Sequence, residues 1–364
     1  MHSEFTVSRR QFAKTFSVAT AGLAVGLNSF AQSTAPSSKP QIKLGLDNFA
    51  VRAMKWNAAQ LIDYAATLNT DSLFISDLDA FESLEENHLK ELRQNAADRG
   101  LQIHVGTWSI CPTSKSFRNK HGTAEEHLAL GIRVAKALGS PVIRVILGNG
   151  EDRKTDGGIE ARIADTVKVC KALRNEAMDA NVKIAMENHA GDMQAPELVQ
   201  LIEAAGKEYV GVNMDSGNAL WTMEDPLQTL EILGPYVATT SLRDGLIWES
   251  ENGATVQWTA MGEGMIDWKT YFTRFAELCP GVPVHIETIS GFNREIPYLK
   301  EDFWSVWPRT KASDFAKFLA LAKQGKPKPT HKSANHEAEQ TYQKGEIERS
   351  IGYCRNILGL GRQS

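Results

Sequence analysis

The sequence predicts an α/β protein, a (β/α)8 TIM barrel with a C-terminal helical extension. Short β-rich runs alternate with amphipathic helical runs eight times, and that alternation makes parallel strands joined by crossovers. No Gly-rich dinucleotide fingerprint follows the first strand, which argues against an open doubly wound sheet. The chain that follows the N-terminal segments is about 320 residues long, ordinary for an α/β barrel with insertions.

In order, the strands are expected at Ile42–Asp47, Ser72–Asp77, Ile103–Trp108, Val142–Leu147, Lys183–His189, Tyr209–Asp215, Val237–Asp244 and Val282–Thr288. The helices between them are expected at Ala58–Leu68, Leu84–Arg99, Ala124–Leu138, Ile159–Asn181, Ala195–Ala205, Pro226–Leu233 and Trp268–Leu278, with a last one at Ala312–Ala322. Their apolar residues recur at the helical period. This places the barrel at residues 41–323. Residues 324–364 read as a Lys/Pro/Gly/His linker and one amphipathic helix, Glu337–Leu358, with Ile347, Ile351, Cys354 and Leu358 on one stripe.

Residues 1–31 read as a targeting segment. Ser8-Arg9-Arg10-Gln11-Phe12-Ala13-Lys14 precedes an uncharged run, and Ser29 and Ala31 suit signal cleavage. The paired arginines match the twin-arginine export signal, so a periplasmic or otherwise exported location is expected. The run is shorter than the roughly 20 residues of a spanning helix, which argues against stable membrane insertion. Residues 32–40 are Ser/Pro-rich and read as a spacer.

A net charge of −4 on a mixed surface excludes nucleic acid and anionic membrane as expected partners. A homo-oligomer is compatible with the composition. The four cysteines are widely spaced and form no metal-type pair; an oxidising compartment leaves a disulfide open.

In such barrels the chemistry sits at the carboxyl ends of the strands. The fifth strand ends Glu187-Asn188-His189, the sixth Asp215-Ser216-Gly217-Asn218, and the eighth His285-Ile286-Glu287-Thr288. Three carboxylates facing one axis repel unless a cation neutralises them, and an oxygen-rich donor set suits Mn²⁺ or Mg²⁺. For any one of them alone, an ion pair with a nearby Lys or Arg is the simpler reading.

These motifs, with Gly262-Glu263-Gly264 and Ile266-Asp267-Trp268, resemble the xylose isomerase-like barrel superfamily from Ile42 to about Ala322. That group includes sugar and sugar-phosphate isomerases and epimerases, inosose dehydratase and endonuclease IV-like enzymes. The resemblance implies that Glu187, Asp215 and Glu287 bind a divalent metal, and that Glu187 and Glu287 move a proton beside a carbonyl. It also implies a fourth ligand, a histidine on the seventh strand, where this chain has Ser241. Water held by Ser241, or a nitrogen of His189 or His285, would have to complete the shell, or the metal is weak or lost.

Other residues of this set are expected at the substrate. Arg243 shares parity with Ser241 and suits a substrate oxygen or carboxylate, or an ion pair with Asp215 or Asp244. Trp108, at the mouth, suits a sugar ring, while His104 on the same face reads as a core histidine. Asn218 reads as a cap or a hydroxyl contact and Glu263 as a turn brace. Gly245–Gly264 and Phe292–Trp307 read as lids. The expectation is a metal-dependent sugar or keto-sugar isomerase or epimerase. A lyase acting by β-elimination on a 3-keto-glycoside or inosose is the alternative, and a non-catalytic carbohydrate-binding barrel a further one. Phosphodiester hydrolysis needs a His-rich multi-metal cluster that the chain lacks.

Overall fold

The computed structural model describes residues 41–362. The targeting segment and spacer expected at 1–40 lie outside these residues. In chain order the strands are β1 (Leu44–Asp47), β2 (Ser72–Ile75), β3 (Gln102–Ser109), β4 (Val142–Ile146), β5 (Lys183–Glu187), β6 (Val210–Met214), β7 (Val237–Thr240), β8 (Asp244–Ser250), β9 (Gly253–Thr259), β10 (Val284–Ile286) and β11 (Asn293–Ile296).

Eight of them form one parallel sheet, ordered β10-β1-β2-β3-β4-β5-β6-β7. It closes through a single bridge between Leu242, just past β7, and Ile286 of β10. There the Leu242 N–H donates to the His285 carbonyl (2.8 Å), and the Glu287 N–H donates to the Leu242 carbonyl (2.9 Å). The result is the predicted (β/α)8 barrel. The β2, β4 and β6 strands are buried along their whole length, because helices cover the outside and side chains fill the inside.

The helices form where local chemistry favours them. Ala124–Leu138 starts in a capping box between Thr123 and Glu126 and stops at Gly139, whose φ of 69° suits a left-handed cap. Its predicted bounds hold, as do those of Ala195–Ala205, Pro226–Leu233, Trp268–Leu278 and Ala312–Ala322. The run expected at Ile159–Asn181 is two helices, Gly158–Ala172 and Arg174–Ala180, parted at Leu173.

The segments read as lids are a correction. Gly245–Gly264 contains the β8–β9 hairpin, and β11 adds to β9 in a three-stranded antiparallel sheet. Residues from these segments, including Ile247, Val256, Ile296 and Trp307, bury a small second core with Phe318. Every residue of β9 is buried, although Ala254, Val256 and Trp258 alternate with Thr255, Gln257 and Thr259 in the two-residue rhythm of a strand.

The final helix, His336–Asn356, packs on β1, on β10 and on the turn Asn48–Met54. It buries Ile347, Ile351 and Cys354 of the predicted stripe and fills the wall beside the first and last barrel strands. All four cysteines are buried and free. Among the described residues, no helix is long and apolar enough to cross a membrane.

Candidate active site

The barrel brings the ends of β5, β6, β7 and β10 together. A cavity of about 190 Å³ opens there, walled by Glu187, Glu287, Arg243, Asn218, His189 and Trp108, with Arg144 also at its surface. A wider depression of about 690 Å³ lies beside it and shares Trp221. Glu187 and Glu287 face the smaller cavity.

Asp215 follows β6 and caps the short helix Ser216–Trp221. Its Oδ1 accepts from the backbone N–H groups of Gly217 (2.8 Å) and Asn218 (2.9 Å). Its Oδ2 accepts from Asn218 Nδ2 (2.7 Å) and Arg243 Nη2 (2.5 Å). Both oxygens are thus engaged, and Asp215 stands behind the cavity wall rather than on it. Burial, together with the Glu187 charge, pushes its carboxyl up to about 7 against the pull of Arg243 and the capping amides.

Arg243 is the hub of the site. Its Nη2 also donates to Glu287 Oε2, and its guanidinium carbon lies 4.2 Å from the centroid of the Trp258 ring. Cation–π contact and two carboxylates therefore hold a side chain that is only 2% exposed. Its Nε and Nη1 have no hydrogen-bond partner among the described residues. The Trp258 indole N–H donates to the Gly217 carbonyl (2.9 Å).

Glu187, at the end of β5, accepts from Arg144 Nε (2.5 Å) and Asn213 Nδ2 (2.8 Å) on Oε2 and from Asn218 Nδ2 (3.3 Å) on Oε1. Burial raises its carboxyl, but the guanidiniums of Arg144 and Arg243 outweigh burial and hold it below the ordinary value. Glu287 goes the other way. Burial, reinforced by the carboxylates of Asp47, Glu187 and Asp215, pushes it well up against Arg243. Four buried carboxyls thus face two guanidiniums, because Asp47 joins the cluster through Ser241. A site so short of cations retains protons.

His189 lines the cavity, edge-on to Trp108 with ring centroids 5.5 Å apart. Its Nδ1 lies 2.6 Å from the Gly148 carbonyl, which can only accept, so Nδ1 carries the proton and Nε2 is an acceptor. Burial lowers its pKa, which keeps the ring neutral.

Ser241 turns away from the cavity and donates to Asp47 Oδ2 (3.0 Å). His285 lies in the barrel interior, its ring 4.8 Å from that of His104 and 5.3 Å from Phe74. Its pKa falls well below the ordinary value through burial and the nearby His104. His104 binds Thr239 Oγ1 through Nδ1 (2.9 Å), and burial lowers it to about 3. Neither histidine reaches the acids.

Glu263 pairs with Lys328 and Arg349 (both 3.2 Å) at the surface. The Gly262–Trp268 turn is instead braced by Asp244, whose carboxylate accepts from the backbone of Gly262, Gly264 and Ile266 and from the Trp268 indole.

Sequence reasoning missed Asp47, Arg144, Asn213 and Trp258. Asp47 and Arg144 did carry a signal, as charged residues inside otherwise apolar strands. Trp258 sat in a segment read as a loop.

The resemblance implies a divalent ion among Glu187, Asp215 and Glu287. As folded, the donor set does not fit one. Arg243 Nη2 sits between Asp215 Oδ2 and Glu287 Oε2, Arg144 holds Glu187, and Asp47 holds the serine at the histidine position. Among the described residues, no group of three His, Cys, Asp or Glu is arranged to hold a metal.

The sequence profile of the family described as xylose isomerase-like TIM barrel matches residues 52–305. A 3-oxo-isoapionate decarboxylase of Pectobacterium atrosepticum is 22% identical over 248 residues, covering 68% of this chain and 78% of that protein. A D-psicose 3-epimerase, solved in the presence of D-fructose, aligns with a TM-score of 0.58 at 14% identity, covering 87% of this chain and 100% of that one. The IolI protein, solved with a zinc atom, aligns at 0.55 with 15% identity, covering 76% and 99%.

Proposed function

Because the chain belongs to the xylose isomerase-like TIM barrel family, we propose that it is a sugar-modifying enzyme, an isomerase or epimerase moving a proton at the carbon beside a carbonyl. One observation carries this: Glu187 and Glu287 line the same cavity, the first paired to Arg144 and the second to Arg243, and in these settings Glu187 is shifted below and Glu287 above the ordinary value. Paired carboxyls driven apart in this way suit a base and an acid.

Glu187, held ionised, takes the proton from the carbon. The C–H electron pair becomes the C=C bond, and the carbonyl π pair moves onto oxygen. Glu287 donates its proton to that oxygen, and the unpaired N–H groups of Arg243 favour the charge that develops there. Return of a proton to the other face, or to the neighbouring carbon, gives the epimer or the isomer. Trp108 offers an apolar face to the sugar ring. Neutral His189 accepts from a hydroxyl through Nε2, and Asn218 Oδ1, unpartnered in the described residues, accepts another. The export expected from Arg9-Arg10 favours an unphosphorylated substrate.

The same enolate supports lyase chemistry on a 3-oxo sugar, a second reading favoured by the decarboxylase relative. Incubation with ketoses, 3-keto-glycosides and 3-oxo sugar acids in D₂O separates the outcomes. Deuterium at the carbon beside the carbonyl, lost in Glu187→Gln, is expected. Release of a β-substituent or of CO₂ would select the lyase. No exchange and no product from either class would overturn the proposal.

A further inference from the structure

We propose that Arg243 is the resident cation of this site in place of a divalent metal, and that its free guanidinium edge binds an oxyanion. This rests on the reading of the cavity as a proton-transfer site and deepens it. Three independent features of the structure support it.

The first is position. Nη2 bridges Asp215 and Glu287, two of the three acids that a metal would have to share. An incoming ion would have to displace the guanidinium from both carboxylates at once and leave that charge buried without its partners. The second is the seventh strand. Ser241 donates its hydroxyl to Asp47 rather than offering it to the cavity. Two residues on, with the same parity, comes the arginine, which brings a fixed charge to the same face. The third is the open edge. Nε and Nη1 are buried donors with no partner among the described residues, on a residue that lines the cavity. A buried guanidinium donor left unpaired is costly, and an enolate or carboxylate oxygen of a substrate would satisfy it.

The architecture around Arg243 is built to hold it still. Trp258 covers one face, and Gly217 leaves room for its stem. A Cβ on Gly217 would overlap Arg243 Cγ and come within 2.7 Å of Cδ and 2.8 Å of Trp258 Nε1. The glycine of the Asp-Ser-Gly-Asn motif is therefore needed for the arginine to pass.

The test reads metal and anion binding without turnover, so failure of the isomerase reading would be seen separately in the deuterium exchange. Mn²⁺ is titrated into the purified full chain and followed by electron paramagnetic resonance. The wild type is expected to leave Mn²⁺ free, whereas Arg243→Ala, and more strongly Ser241→His/Arg243→Ala, gains a site at least 100-fold tighter. Arg243→Lys, which keeps a charge, is expected to exclude the ion still and guards against a misfolded alanine variant.

In parallel, oxalate is titrated in excess chelator, with tryptophan fluorescence and melting temperature as readouts. Binding to the wild type, weakened at least tenfold in Arg243→Lys, is expected. One equivalent of Mn²⁺ on the wild type, folded variants that gain none, or no oxalate binding in chelator would each overturn the proposal.

Discussion

Gly217 and Arg243 touch so closely that the glycine acts as part of the arginine's binding slot. Gly217→Ala should displace the guanidinium from Asp215 and Glu287 rather than merely crowd a loop. The expected result is a 10–100-fold fall in kcat with a stability loss of about 1–3 kcal/mol, the usual cost of overpacking. Steady-state kinetics and urea unfolding measure the two separately.

Glu187→Gln and Glu287→Gln keep volume and most hydrogen bonds but remove the base and the acid. Each should lower kcat by about 10²–10⁴-fold, the range for a positioned general acid or base. Asp215→Asn should behave differently. Its side chain touches Arg243 and not the cavity, so kcat should fall less than in either glutamate variant while binding of oxalate weakens. An Asp215→Asn enzyme with unchanged oxalate affinity would remove it as a positioning residue.

The pH profile follows from the opposite shifts of the two glutamates. Glu187 lies below its ordinary value, so activity should fall on the acid side only beneath the usual glutamate range. Glu287 lies well above its own, so the alkaline fall, as Glu287 loses its proton, should come well above the usual glutamate range. A kcat profile that rises steadily from pH 6 to 9 would contradict this assignment.

Stability should carry a separate pH signature from Glu224, which burial raises to about 8 despite contacts from Thr222 and the Ala195 N–H. Its folded pKa exceeds the unfolded value of about 4.5. The protonated form is therefore the one favoured by folding. Its contribution is complete below pH 4.5 and is lost as pH rises through 8. Glu224→Gln should flatten the decline of Tm between pH 5 and 9 and be the more stable protein at the alkaline end.

Asp244 accepts from three backbone amides spread over the Gly262–Ile266 turn and from the Trp268 indole. Asp244→Ala leaves the buried Trp268 indole and three partly exposed amides without their acceptor, and the expected cost is about 1–3 kcal/mol by chemical denaturation. The adjacent Glu263→Ala, which loses only exposed ion pairs, should cost under about 1 kcal/mol.

The barrel was legible because strand and helix periods alternate cleanly, and several helix bounds followed from the apolar period alone. The acids at the strand ends were legible too, because a carboxylate ending an apolar run has few inexpensive explanations. What the chain did not disclose was how those acids are neutralised. Arg243 sits 28 residues after Asp215 and on a different strand from Glu287, and only barrel closure shows that one guanidinium serves both. The β8–β9 hairpin was hidden for another reason. The rhythm of β9 was present in Ala254–Thr259, but β8 runs Leu246-Ile247-Trp248 without alternation, so the pair did not read as a hairpin.

The single bridge between Leu242 and Ile286 has a mechanical consequence. Arg243 follows one side of that seam and Glu287 follows the other, so the barrel's thinnest joint is also the ruler for the distance between its cation and its acid. Any breathing of the wall there would alter proton affinity in the cavity before it altered the fold. A ligand bridging the two side chains would in turn act as a rivet, and the amides of Leu242 and Glu287 would report its arrival by exchanging with solvent more slowly.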